Sequence, residues 1–87
     1  MRTDFSNARS RMPSSEIFPG IVSNKEILGG EAVIKGTRIP VALILGHLAA
    51  GMSTDEIVYE YDLTIADIRA ALGYAAKRIG EEAMGVR

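Results

Sequence analysis

A mainly α-helical domain is predicted: a three-helix, homeodomain-like helix-turn-helix bundle preceded by a short β element. Two helix-start motifs eleven residues apart, at Ser53 and Thr64, are the first observation. The second is an amphipathic stretch that opens on Pro40 and closes on Gly51. The third is a pair of β-prone fragments, Ile21-Val22-Ser23 and Ala32-Val33-Ile34-Lys35, bracketed by glycines.

Residues 1–15 are rich in serine and carry only Phe5 and Met12 as large apolar groups, too little to bury. They are expected to form a flexible arm bearing Arg2, Arg9 and Arg11. The domain proper is assigned to 16–80, and 81–87 to a flexible tail. Gly29-Gly30 and Gly36-Thr37 supply the turns around the second β fragment. Strands this short need support, so they are expected to lie on the helices or on a second copy of the chain.

In the first helix Val41, Ile44, Leu45 and Leu48 follow the i, i+3, i+4, i+7 spacing of one buried face. Ser53-Thr54-Asp55-Glu56 is a capping box with Met52 and Ile57 placed as its hydrophobic staple. Thr64-Ile65-Ala66-Asp67 repeats the arrangement with the shorter Asp, stapled by Leu63 and Ile68. A helix begun at Ser53 must therefore end near Tyr61, leaving the short turn of a helix-turn-helix. Ile57, Val58 and Tyr61 are expected to face inward from it. Ile68, Leu72, Ala75 and Ile79, beside Ala71, are expected to form the apolar stripe of the last helix.

Composition narrows the function. Hydrophobic residues at 47% and charged residues at 24% describe a globular chain rather than a disordered one. The 87 residues allow one small domain, whose own core is marginal and would gain from pairing. With no cysteine and one histidine, His47, thiolate chemistry and a histidine-rich metal cluster are excluded within one chain. No apolar run is long enough to span a membrane, and no apolar segment follows the N-terminal arginines as in a secretory signal. A cytoplasmic protein is the expectation.

No catalytic constellation surrounds His47, which lies off the main apolar face, and the aspartates fall at caps and turns. The chain is expected not to be an enzyme and to need no cofactor. Gly30 to Thr37 only superficially evokes a phosphate loop, because Lys35 precedes Gly36 where the motif requires the reverse.

A helix-turn-helix reads bases from the start of its second helix. The candidate DNA-binding residues are Thr64, Ala66, Arg69, Ala70, Gly73 and Lys77, with Arg69 alone suited to bidentate contact with guanine. Charge opposes this reading: Ser53 to Leu72 holds five acidic residues against Arg69, a net −4 facing a polyanion. The alternative is an interaction module that does not bind DNA. Arg38 is the candidate for locking the strand segment onto the first helix, or for entering an acidic pocket of a partner.

The run Gly29-Gly30-Glu31-Ala32-Val33-Ile34-Lys35-Gly36-Thr37-Arg38-Ile39-Pro40-Val41, followed by Ala50-Gly51-Met52-Ser53, Glu60-Tyr61 and Leu63-Thr64, resembles the bacterial domain of unknown function 433 family. The resemblance covers about 21–79 and is most specific at 33–41. The family's usual Gly-Lys/Arg-Pro is replaced by Gly30-Glu31-Ala32, and its Tyr-Pro-x-Leu lacks the proline at Tyr61-Asp62-Leu63. The resemblance implies a homeodomain-like helical domain with an N-terminal β element, often dimeric. It further implies a type II antitoxin that neutralises a PIN-like ribonuclease toxin and represses its own operator. The partners expected on that basis are the toxin, operator DNA and a second copy, with Arg9, Arg11 and Arg38 as toxin contacts. Dimers through the strands around Val22 and Val33, or through Leu43 and His47, are both open.

Overall fold

The computed structural model describes residues 15–85. Arg9 and Arg11 lie outside the described residues. Among the described residues three strands precede three helices: β1 Ser15–Phe18, β2 Ile21–Ser23, β3 Ala32–Ile34, α1 Val41–Ala49, α2 Thr54–Tyr61 and α3 Ile65–Gly85. This is the mainly α, three-helix architecture with an N-terminal β element that the sequence predicts, with one strand more than expected.

The sheet is an antiparallel meander in the order β1-β2-β3. The unpredicted strand β1 is joined to β2 by Pro19-Gly20, and Gly20 has the φ of 85° that the second central residue of a type II turn requires. Its register slips between Glu16 and Phe18, a bulge that leaves Ile17 without an opposite number. Ile21 pairs with Ile34 and Val22 with Val33, and all four are buried. Because successive side chains alternate faces, Ile21 and Ile34 enter the helical core while Val22 and Val33 turn the other way.

Glu16 fastens the hairpin. Its Oε2 accepts the Gly20 N–H at 2.9 Å, and Lys35 Nζ donates to its Oε1 at 3.0 Å. The Gly20 N–H first, and Lys35 second, hold this exposed carboxyl below its ordinary 4.5. Its contribution is therefore complete above the ordinary carboxylate range and is lost as pH falls through the lowered value. Titrated by NMR in acid, the Gly20 amide resonance is expected to move in the wild type and to stay still in Glu16→Gln.

Helix boundaries follow the local chemistry closely. At the end of α1, Met52 N–H bonds the His47 carbonyl at 3.0 Å and Gly51 N–H the Leu48 carbonyl at 3.0 Å. This is a Schellman motif, and it needs the φ of 102° that Gly51 supplies. The first capping box closes with Glu56 N–H to Ser53 Oγ at 3.1 Å and Ser53 N–H to Glu56 Oε1 at 2.8 Å. The second closes equally with its shorter Asp: Asp67 N–H to Thr64 Oγ1 at 3.1 Å and Thr64 N–H to Asp67 Oδ2 at 3.0 Å. Between α2 and α3 the backbone reverses at Asp62, which takes a left-handed φ of 57° and returns its N–H to Val58.

The core joins Ile21 and Ile34 of the sheet to Val41 and Ile44 of α1, Ile57 of α2, and Leu63, Ile68 and Ala71. Two expectations change here. Leu72 and Ile79 do not face inward: they are 44% and 66% exposed. The buried side of α3 advances from Ile68 to Ala71 and on to the half-buried Ala75, so Leu72 is carried about 100° past it. Nor does α3 stop at Ile79. It continues to Gly85 through residues assigned to a tail, helped by the i,i+4 pair of Lys77 with Glu81 at 3.6 Å.

Candidate functional site

The residues proposed to read DNA separate into two groups on α3. Thr64, Ala66, Arg69 and Lys77 are exposed, although the Thr64 hydroxyl is used as the helix cap and Lys77 faces Glu81. Ala70 and Gly73 are half-buried beneath the β1–β2 hairpin. A Cβ built on Gly20 would come within 3.1 Å of the Ala70 Cβ, and one built on Gly73 within 3.0 Å of the Phe18 ring. Phe18 also meets Tyr74 edge-on, with centroids 6.1 Å apart. The small side chains at 70 and 73 thus form the seat of the hairpin, which covers part of α3 there.

What α3 presents at its N-terminal half is an arginine between two aliphatic side chains. Ile65, Arg69 and Leu72 lie four and three residues apart and so share one face. Ile65 is 41% exposed, Leu72 similarly so, and Arg69 has no ion-pair partner among the described residues. Around this face the α2–α3 unit carries Asp55, Glu56, Glu60, Asp62 and Asp67. Two of the five, Glu56 and Asp67, are engaged in caps.

Arg38 is exposed in the turn before α1 and makes no hydrogen bond or ion pair among the described residues. The locking role considered for it belongs to its neighbour. Thr37 Oγ1 donates to the Ile34 carbonyl at 2.8 Å and accepts the Ile39 N–H at 2.9 Å, which ties the end of β3 to the approach to α1. His47, off the main apolar face, is half-buried. Its Nε2 is hydrogen-bonded to Tyr61 Oη at 2.7 Å and the rings stack at 27°, so it links α1 to α2 within the chain. The signal for that pair was the inward position of Tyr61 on α2; nothing local marked His47 as its partner.

Among the described residues no three acidic or histidine side chains converge as a metal site, and no helix is long and apolar enough to cross a membrane. An open apolar groove of about 320 Å³ lies between α1, the start of β3 and the second half of α3.

A three-helix domain with an N-terminal antiparallel sheet, offering an arginine-centred apolar face, is the class of protein these observations define. A family model described as "Protein of unknown function (DUF433)" matches residues 21–75, well over half of the chain, and the chain belongs to that family. No curated protein and no solved structure matches it.

Proposed function

We propose that the chain is a dimeric protein-binding module, an antitoxin that neutralises a PIN-like ribonuclease through the Ile65–Arg69–Leu72 face of α3. The single observation carrying this reading is that face: a free guanidinium set between two exposed aliphatic side chains. Arginine flanked by apolar surface is the composition of a protein-binding hot spot. A guanidinium also forms charge-assisted bonds with the carboxylates that hold metal in a PIN-like active site. Arg38, equally unengaged, is a second donor for the same kind of pocket.

Co-expression of the chain with a PIN-like ribonuclease, if one is encoded beside it, is the test. Rescue of growth and recovery of a stoichiometric complex are expected, with Leu72→Asp and Arg69→Glu each weakening the complex at least ~10-fold while the far-UV circular dichroism stays unchanged. If the two proteins neither co-purify nor rescue growth, the reading is wrong.

Operator binding is the second reading, favoured by the capped, sharply turned α2–α3 unit and by exposed Thr64, Ala66, Arg69 and Lys77. The acidic surround and the hairpin seated on Ala70 and Gly73 count against it. A mobility shift at low salt that prefers the chain's own promoter and is lost in Arg69→Ala would carry it. Absence of any shift at low salt would remove it.

A further inference from the structure

Helix α1 has no charged residue among its nine, and its one ionisable side chain, His47, is turned to Tyr61. Its outward face nevertheless stands in solvent: Ala42, Leu43, Gly46 and Ala49 are all exposed. A helix that is apolar on every side belongs in an interior, and one chain covers only half of this one. Gly46 sharpens the point. Glycine weakens a helix interior, yet a Cβ at 46 would meet nothing within 4 Å, so packing inside the chain supplies no reason for it.

The same face opens into the groove between α1 and α3, where Ala42 and Leu45 look across to Tyr74 and Ile79. The two charged residues lining that groove have opposite signs, Glu31 from beside β3 and Arg78 from α3. Neither has an ion-pair partner among the described residues, and Arg78 is engaged only with the Tyr74 ring, 6.0 Å from its centroid. An apolar groove carrying one charge of each sign is complementary to itself. A two-fold contact across this groove that set Glu31 of each copy against Arg78 of the other would have the reciprocity of an isologous interface.

We infer that the α1 face and its groove are where two copies of this chain meet. This deepens the dimeric part of the function proposed above and does not depend on the ribonuclease, whose binding face lies on the N-terminal half of α3. The contact buries the outward side of α1 and the exposed Ile79, and it sets two Glu31–Arg78 pairs at its rim.

Sedimentation of the full-length protein over a range of concentrations tests this directly. The wild type is expected to dimerise, and Ala42→Glu and Ile79→Glu, both at exposed positions, are expected to raise the dissociation constant at least ~10-fold with unchanged circular dichroism. Glu31→Arg alone and Arg78→Glu alone should each weaken self-association, and an equimolar mixture of the two should restore it, because each then meets its opposite. A wild type that stays monomeric at every concentration overturns both the dimer and this surface. Dimerisation that all four variants leave untouched overturns the surface while the dimer stands. Failure of the ribonuclease co-expression test removes the neutralising role without bearing on either.

Discussion

Ile57→Ala is expected to cost about 2–5 kcal/mol, the range for removing a fully buried aliphatic side chain whose surroundings cannot close over the gap. Ile57 is completely buried and is the only buried residue of α2. The capping box fixes where α2 begins, and Ile57 is its one fully buried anchor in the core shared with Ile44, Leu63 and Ile68, with Val58 and Tyr61 packed against that core from its edge. A core of this size gives a domain little more than about 3–5 kcal/mol in total, so the variant should be largely unfolded at ambient temperature. Tyr59→Ala, two residues away at a position 90% exposed, should change stability by no more than about 0.5 kcal/mol. Urea unfolding followed by circular dichroism compares the two. Equal midpoints would mean that α2 is not held by Ile57.

The second large effect concerns the reversal between α2 and α3. Asp62→Pro should cost at least about 3 kcal/mol, because proline fixes φ near −65° and removes an N–H. Here φ is 57° and the N–H is bonded to the Val58 carbonyl. Asp62→Gly should do the opposite and gain up to about 1 kcal/mol, since glycine enters the left-handed region without the steric cost an L side chain bears. Thermal or urea midpoints ordered Gly above Asp above Pro are the expected result. A proline variant as stable as the wild type would show that the helices are not joined through this conformation.

Local hydrogen-bond chemistry was the legible part of this sequence. Ser53 with Glu56, Thr64 with Asp67, and Gly51 behind α1 each settle their own few residues, and each closes as the motif requires. What stayed hidden depends on groups distant in the chain. Strand β1 exists because Ser15 to Phe18 finds Ile21 to Ser23, and a bulge at Ile17 blurs the alternation that would have marked it. The last helix carries two neighbouring apolar stripes, Ile68-Ala71-Ala75 and Ile65-Leu72-Ile79, and spacing alone could not say which one the core would take. The core took Ile68 with the two alanines that follow it on its face, and left Ile65, Leu72 and Ile79 exposed. The candidate site divided for the same reason. Arg69 was recognisable by its type and place, but the loss of Ala70 and Gly73 to the hairpin followed from the packing of Phe18 and Gly20.

That seat has a mechanical consequence. Phe18, at the end of β1, rests where residue 73 offers no side chain. A displacement of β1 therefore reaches the middle of α3 through the Phe18 ring as well as through the pairing of β1 with β2.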